Sequence, residues 1–376
     1  MSELKDQVLQ DMEKEMELDR KKAVIEENRI TVQHARIEQS KKDLELIKNS
    51  TFGPLSNSEI DKLVKNNDEY IEGARHAMLF VNEEFRNVVP FFRKNLILIG
   101  GKTGEGKSTT VANIILETIR QVNPLTGKKR RVLVLSNEEK PEDVYNRVTC
   151  LIKGWSYVNH DKFTDEMVLT FRKYIPLLAK DGLLTVIDNS YGGVMGMTTT
   201  IEGIKTIFDN LIRDGEYYDV IIIDYYQKIN MSKEDPTMAD WQVQAKLADM
   251  LDNYKNVYPA PIVVMAQVKP PGEDNSPFEH RIKGRKVITD PATLIMEMVA
   301  EREHLRTKWV VHKSRFTGSV GADFYTGFDQ GRFVEYDNEF MAKVLKIKED
   351  RQKAAFNKAS GADLKERQEK LEKKDE

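Results

Sequence analysis

The sequence has a single cysteine, no long apolar run and almost no excess of one charge. One cysteine, Cys150, excludes an internal disulfide framework and is typical of a reducing compartment. Because Leu151 follows it in a helical stretch, we expect a buried structural thiol. No run of about 18 apolar residues exists, so no membrane span and no membrane partner are predicted. The N-terminus is acidic and polar, unlike a secretory signal, and we therefore expect a cytoplasmic protein.

The charges are dense but nearly balanced, with 58 basic and 61 acidic residues and a net charge of −3. This balance leaves nucleic-acid binding open, because such binding depends on local basic patches rather than on the total. A chain of 376 residues is long enough for one large α/β domain with appendages, or for two small domains.

The two ends of the chain differ in composition from its middle. Residues 1–50 are predicted to form a charged N-terminal helix or arm. Apolar residues recur there every seven positions, but the companion positions are mostly polar, which favours an exposed or partner-docking helix over a coiled coil. Residues 51–79 are predicted as a linker and a short helix near 58–78. Residues 341–376 are predicted as a charged, disordered tail.

Between residues 80 and 340, short apolar runs alternate with amphipathic stretches. This pattern is typical of an α/β fold with a mostly parallel central sheet covered by helices. The predicted strands are 95–99, 131–135, 183–187, 219–223, 261–265 and 308–312, and runs 322–327 and 332–336 predict a closing antiparallel hairpin. Open α/β sheets bind their ligands at the carboxyl ends of the strands, so the chemistry is expected there.

Residues 101–108 read Gly-Lys-Thr-Gly-Glu-Gly-Lys-Ser, a complete G-x-x-x-x-G-K-[ST] phosphate loop. It lies between a predicted strand and a predicted helix, the context that separates this motif from a glycine-rich turn that merely resembles it. Its glycines let backbone N–H groups point at phosphate oxygens, and the start of the helix adds a positive dipole. Lys107 would reach the β- and γ-phosphates, and the Ser108 hydroxyl would bind Mg²⁺. The sequence predicts that ATP, or another NTP or dNTP, is bound with Mg²⁺ by Gly101, Lys102, Thr103, Gly104, Glu105, Gly106, Lys107, Ser108 and Thr109.

Polar residues follow three further predicted strands. Glu138 and Glu139 come after strand 131–135, where a carboxylate could orient or deprotonate the attacking water, although two acids there could also only cap the next helix. Asp224 follows strand 219–223 and is predicted to hold Mg²⁺ opposite Ser108. Gln267 follows strand 261–265 and could donate a hydrogen bond to the γ-phosphate.

The order of these motifs resembles the RecA-like motor domain of DnaB-type hexameric replicative helicases. The motifs that carry the resemblance are Gly101–Ser108, Ser136–Glu138, Asp224–Gln227, Gln267 and Lys313-Ser-Arg315-Phe-Thr-Gly318. The resemblance implies a RecA-like P-loop NTPase that translocates on single-stranded DNA during replication. It also implies Glu138 as the catalytic carboxylate. Glu139 departs from the family's apolar residue, and this acidic doublet also resembles the clock-protein branch, so the choice between the two acids stays open.

In that family, the residues that match Lys313 and Arg315 act on the nucleotide of a neighbouring subunit, which implies a homo-oligomer in the form of a ring of six. The family also places a DNA-binding loop between Gln267 and Leu294. Here that stretch is rich in Arg and Lys, and a solvated surface loop is the alternative. We name its predicted DNA contacts the loop cations: Lys283, Arg285 and Lys286.

The resemblance also implies partners. Single-stranded DNA is the substrate track, and primase, a helicase loader or a polymerase are the expected protein partners. The family's N-terminal helical domain is not expected here, which indicates a viral or mobile-element version acting in the host cytoplasm. A RecA/RadA-like recombinase or a clock-type regulatory ATPase is the alternative function.

Overall fold

The computed structural model describes residues 41, 55–78, 80, 82–89, 91, 94–157, 162–180, 182–190, 193, 195–229, 237–269, 277–282, 286–315, 320–350 and 353. The chain divides into two compact units, Met1–Asn66 and Asn67–Glu376. The predicted arm lies outside the described residues except for the helical Lys41, and so does the tail beyond residue 350 except for Lys353. The boundaries predicted at residues 50, 79 and 340 therefore stay predictions.

Nine strands form one mixed sheet in the order β3-β2-β4-β5-β1-β6-β7-β8-β9. The first six strands pair in parallel, and β6 through β9 pair antiparallel. The strands are β1 (Leu96–Gly101), β2 (Val132–Ser136), β3 (Leu184–Ile187), β4 (Val220–Asp224), β5 (Ile262–Gln267), β6 (Leu294–Glu301), β7 (Arg306–Ser314), β8 (Asp323–Asp329) and β9 (Arg332–Val334). The predicted α/β fold with a mostly parallel sheet is confirmed.

Helices of the second unit cover both faces of this sheet. The α-helices with described bounds are α1 (Asn57–Arg75), α2 (Glu83–Val88), α3 (Lys107–Arg120), α4 (Pro141–Lys153), α5 (Asp165–Lys180), α6 (Ile201–Asp214), α7 (Asp240–Val257) and α8 (Phe278–Arg281). Residues 338–350 are also helical and include the first part of the predicted tail. Short 3₁₀ turns occupy Tyr226–Lys228, Lys286–Thr289 and Arg302–His304. Over the residues described, no helix combines the length and the apolar character that a bilayer crossing requires.

The central strands are apolar along their whole length because both of their faces are covered. In β1, Ile97 and Ile99 belong to a core cluster that includes α3, whereas Leu96 and Leu98 belong to a second cluster with α6 and α7. All four side chains are fully buried. Each contributes about 1.5–3 kcal/mol relative to an exposed position, so this strand anchors the phosphate loop that follows it. Cys150 is buried as expected, and burial raises the pKa of its thiol to about 11.

Strand β6 was not predicted, and its presence reverses the direction of β7. The predicted strand 308–312 was expected to belong to the parallel sheet. Instead β7 returns antiparallel to β6, with Lys313 opposite Ile295 and Ser314 opposite Leu294. The prediction failed because Leu294–Glu301 consists largely of Leu, Met, Ala and Glu, residues that favour helices and do not alternate. The end of β7 therefore lies at the opposite edge of the sheet from the phosphate loop.

Candidate nucleotide site

The phosphate loop joins the end of β1 to the start of α3 with glycine where the backbone requires it. Gly104 and Gly106 have φ values of +83° and +97°, in the left-handed region that favours glycine. A Cβ on Gly101 would lie 2.7 Å from Cγ of Met298, so this position needs glycine for space. The loop therefore has the backbone shape and the bare surface that a phosphate chain requires.

The Lys107 ammonium lies inside this loop. Its Nζ donates to the carbonyl oxygens of Gly101 at 3.2 Å and Lys102 at 3.0 Å. The outer side of the loop is held by the end of β6 and the turn after it. The Arg302 guanidinium donates to the Gly104 carbonyl at 2.6 Å, and the Glu105 carboxylate accepts from the Ala300 N–H. The motif alone did not reveal these two outer contacts, because their partners lie about 200 residues away.

A pocket of about 270 Å³ opens beside the loop at the carboxyl ends of β1, β2, β4 and β5. Its lining comprises Thr103, Gly104, Gly106, Lys107, Ser108, Thr109, Glu138, Arg147, Tyr225 and Gln267. The structure therefore brings the predicted phosphate-loop residues together with Glu138 and Gln267. Arg147 and Tyr225 also line the pocket, although the sequence reasoning did not single them out.

Gln267 is tied both to the phosphate loop and to the segment after β4. Its side-chain amide donates to the Thr103 hydroxyl. Its backbone N–H donates to Oε1 of Gln227 at 2.9 Å, and its carbonyl accepts from Nε2 of Gln227 at 3.0 Å. Gln227 belongs to the Asp-Tyr-Tyr-Gln run, so this motif residue fixes the end of β5 rather than lining the pocket.

Asp224 ends β4 as a buried carboxyl group. Its Oδ1 has no hydrogen-bond partner in the protein. Burial, together with the nearby charges of Glu139 and Glu138, raises the pKa of Asp224 to about 7, while Lys107 and Arg147 act in the opposite direction. A buried carboxyl oxygen without a partner is costly, and a cation beside it would remove that cost.

The structure separates the two acids that the sequence left open. The Ser136 hydroxyl donates to the Glu139 carbonyl at 2.5 Å and closes a tight turn after β2. Glu139 forms an ion pair with Arg147 of α4, whereas Glu138 lines the pocket across from Lys107. Catalysis by Glu138 stays a prediction, whereas the Glu139 carboxylate is already paired with Arg147.

Lys313 and Arg315 do not reach this pocket in their own chain. Lys313 Nζ donates to the carbonyl oxygens of Thr289 and Asp290, and Arg315 donates to Asp290 at 3.0 Å. Lys313 pairs with Ile295 of β6, which pairs with Leu98 of β1. Leu98 lies three residues before Gly101, a distance along the strand of about 10 Å at about 3.3 Å per residue. Neither cation therefore lines the nucleotide pocket of its own chain.

Of the loop cations, Lys283 and Arg285 lie outside the described residues, as does the side chain of Lys286, whose backbone begins a 3₁₀ turn. The described part of the stretch after β5 is ordered rather than structureless. It contains α8 and an antiparallel bridge between Val268 and Ile282.

A second pocket, of about 340 Å³, adjoins the phosphate loop on its outer side. Apolar side chains of the antiparallel strands line it, and Arg302 and Arg306 border it. Its apolar members are Met298, Leu305, Phe328 and Phe333. Its size and largely apolar lining are typical of a small-molecule site.

The sheet order, the phosphate loop after β1 and the polar residues at the ends of β2, β4 and β5 define a RecA-like ATPase fold. Among solved structures, the chain is similar to a DnaB-like replicative helicase that was studied with its interactions with primase, at 14% identity and a TM-score of 0.55, over 80% of this chain and 72% of that one. It is also similar to a second solved structure, which is described as an ATPase domain, at 14% identity and a TM-score of 0.56, over 75% of this chain and all of that one. No protein-family model and no curated protein sequence matches the chain. The chain thus has the fold of a DnaB-type RecA-like motor domain.

Proposed function

We propose that this protein is a nucleoside-triphosphate-driven DNA helicase of the hexameric, DnaB-like type. The observation that carries the proposal is the pocket in which the phosphate loop, Lys107, Ser108, Glu138 and Gln267 meet at the carboxyl edge of the sheet. These are the groups that phosphoryl transfer to water requires: a phosphate cradle, a cation, a hydroxyl for Mg²⁺, and a carboxylate for water.

Mg²⁺ fits this site through oxygen ligands. Among the residues that the structure describes, no group of three or more His, Cys, Asp or Glu could hold a metal by itself. Mg²⁺ is commonly held by one or two protein oxygens together with phosphate oxygens and water, and Ser108 and Asp224 would supply the protein oxygens. The unpartnered Oδ1 of Asp224 supports this assignment. When bound, Mg²⁺ would offset the negative charge of the β- and γ-phosphates.

Each protein group has a separate task in hydrolysis. Lys107 would leave its loop carbonyls and donate to the β- and γ-phosphate oxygens, which compensates their charge. Glu138 would orient a water molecule and accept its proton as the oxygen attacks the γ-phosphorus and the bond to the β-phosphate oxygen breaks. Gln267, already linked to Thr103, would contact the γ-phosphate and transmit its loss along β5.

The adjoining apolar pocket is suited to the nucleobase. It borders Gly104, Gly106 and Thr109 of the same loop, so one nucleotide can occupy both pockets. The apolar lining provides contact area for any base, which supports an NTP or dNTP substrate with ATP as the expected one.

Oligomeric assembly is supported by the position of Lys313 and Arg315 at the far edge of the sheet. From there they can act on a nucleotide only across a subunit boundary, and a closed ring gives every site such a neighbour. The resemblance of the motifs supports six subunits, single-stranded DNA as the track and a role in replication. The similar helicase studied with primase makes primase the first protein partner to test.

The site assignment is tested by measuring ATP hydrolysis and nucleotide binding in Lys107→Ala and Glu138→Gln. Lys107→Ala should abolish hydrolysis and weaken binding, because the phosphates lose their compensating ammonium. Glu138→Gln should bind ATP as well as the wild type but turn over at least about 100-fold more slowly, since only water activation is removed. Glu166→Gln, on the exposed start of α5, is the matched control and should resemble the wild type. Normal hydrolysis by Glu138→Gln would show that another group activates water.

A further inference from the structure

Arg147 of α4 is a cation in the nucleotide pocket to which no role has been given. It lines the pocket together with Lys107, Ser108 and Glu138, although its side chain is only 17% exposed. A guanidinium carries N–H donors on three nitrogens, and here one nitrogen donates to Glu139. Its Nε is buried without a hydrogen-bond partner in the protein. Glu139 therefore accounts for only part of the donor capacity of this guanidinium, and the terminal Nη groups are the ones that could meet a ligand in the pocket.

Two neighbours fix the direction of this guanidinium. Glu139 holds it from the turn after β2, and the ring of Tyr157 lies against it with 4.2 Å between the guanidinium carbon and the ring centroid. The Tyr157 hydroxyl in turn contacts Asp143 at 3.4 Å, one turn before Arg147 on the same helix. A long side chain that is held on two sides has little conformational freedom left to lose when a ligand arrives.

The charges of the pocket also call for a second cation. Glu138 lines the pocket and Glu139 lies beside it in its ion pair, whereas Lys107 and Arg147 are the two cations of the lining. Without Arg147, a triphosphate would enter a pocket in which a single lysine faces these carboxylates. Glu139 accounts for only one nitrogen of Arg147, so the pair can remain intact while other N–H groups meet phosphate oxygens.

We propose that Arg147 is a phosphate-contacting residue supplied by the same chain, directed at the γ-phosphate end of the bound nucleotide beside Glu138, and that Glu139 is its positioning residue. This inference rests on the proposed function, because it names a further contact in the same site. It also explains the acidic doublet: Glu138 faces the water and Glu139 holds the arginine. A purely structural ion pair would not need to line the pocket.

The test compares Arg147→Met and Arg147→Lys with the wild type in steady-state ATP hydrolysis and in binding of ADP and of a non-hydrolysable ATP analogue. Arg147→Met keeps the packing against Tyr157 but removes the charge. It should lower kcat about 100-fold, the usual effect of removing one charged donor from a developing oxyanion. It should also weaken the triphosphate analogue about 10-fold while ADP binding stays within about 2-fold. Arg147→Lys keeps the charge but loses the planar guanidinium, so its kcat and its affinity for the triphosphate analogue should lie between those of the wild type and of Arg147→Met.

The role of Glu139 is tested by a double-mutant cycle. Glu139→Gln should lower kcat about 3- to 10-fold in the wild type and cause no further loss in Arg147→Met, because its effect passes through the arginine. Arg213→Met is the matched control, since Arg213 also pairs with a carboxylate but is 68% exposed on α6. It should behave as the wild type.

Four results would overturn the inference. The first is unchanged kcat and an unchanged preference for the triphosphate analogue over ADP in both Arg147 variants. The second is a fall in kcat in Glu139→Gln that is as large as the fall in Glu138→Gln and that is equally large when Arg147→Met is also present. This result would make Glu139 the water-activating acid. The third is a folded wild type that binds no triphosphate, which would overturn the proposed function itself. If Arg147→Met does not fold, a wild-type ratio of triphosphate to ADP affinity in Arg147→Lys contradicts the proposal.

Discussion

A buried ionic network beneath the phosphate loop gives a prediction with a calculable size. Glu297 of β6 accepts two hydrogen bonds from Arg281, at 2.6 Å and 2.9 Å, and lies 3.2 Å from Nε2 of His312. Both partners of the ion pair are nearly buried, with side-chain exposures of 11% for Arg281 and 9% for Glu297. Phe278 stacks on His312 and touches Gly100, where a Cβ would lie 2.5 Å from the ring. The network therefore joins α8 to β6 and β7, and Phe278 of the same helix packs against the end of β1.

Replacing Glu297 by Gln removes the charge and keeps the shape. The Arg281 guanidinium would then stay buried against a neutral amide, and its Nε already lacks a partner. Breaking a buried ion pair by removing one partner costs about 3–5 kcal/mol, and we expect the lower end because the Gln oxygen still accepts one hydrogen bond. The double variant Glu297→Met/Arg281→Met should lose less than the single variant, because neither charge is left unpaired.

The assay is urea unfolding at neutral pH, with Asp214→Asn as the control. Asp214 also pairs with an arginine but is 51% exposed, so its loss should cost less than about 1 kcal/mol. Although burial opposes it, hydrogen bonds from His312 and Arg281 hold the pKa of Glu297 below its usual range. Its stabilisation is therefore present above a pH of about 4.3 and is lost as the pH falls through the lower folded value. A Glu297→Gln protein as stable as Asp214→Asn, or a double variant less stable than the single one, would refute this reasoning.

Three further predictions concern the metal, the ring and the DNA. Asp224→Asn should stabilise the nucleotide-free protein by on the order of 2 kcal/mol at pH 8 and by less near pH 5. The reason is that the raised pKa of the Asp224 carboxyl makes the wild type lose stability as the pH rises toward 7. Thermal unfolding at both pH values measures the difference. Arg315→Ala should fold and bind nucleotide but hydrolyse poorly, and mixing it with Lys107→Ala should restore part of the activity; no rescue in confirmed mixed oligomers would contradict action in trans. Changing the loop cations together to Ala should weaken the binding of single-stranded DNA, and the slope of log affinity against log salt should become shallower by about 0.7 for each lost phosphate contact. Wild-type affinity and salt slope would show that the DNA binds elsewhere.

The parallel part of the fold could be predicted because its strands are buried on both faces and therefore read as unbroken apolar runs. Strands β1 to β5 begin and end within about two residues of their predictions, and the hairpin turn at Gln330 and Gly331 has the positive φ values that a tight turn needs. Strand β6 could not be predicted in the same way, because its centre carries a charged residue, Glu297. That residue is tolerated through its contacts with Arg281 and His312, partners 16 and 15 residues away.

The missed strand had a consequence for the site. The Lys-Ser-Arg motif is visible in the sequence, but its position depends on the direction of β7, which depends on β6. By contrast, the phosphate loop, Glu138 and Gln267 follow strands whose positions and parallel direction were predicted, and the structure places them around one pocket. Arg147 escaped notice because an arginine within an amphipathic helix carries no local signal. Only the folded structure shows that it reaches the pocket.

The central claim, a DNA motor driven by this nucleotide site, is tested most directly by hydrolysis of ATP with and without single-stranded DNA, coupled to unwinding of a forked duplex in the same reaction. We expect single strands to raise the hydrolysis rate several-fold, the wild type to separate the fork, and Lys107→Ala to do neither. Hydrolysis that ignores single strands and leaves the fork intact would contradict the claim and favour a regulatory ATPase. Strand pairing without unwinding would contradict it in favour of a recombinase.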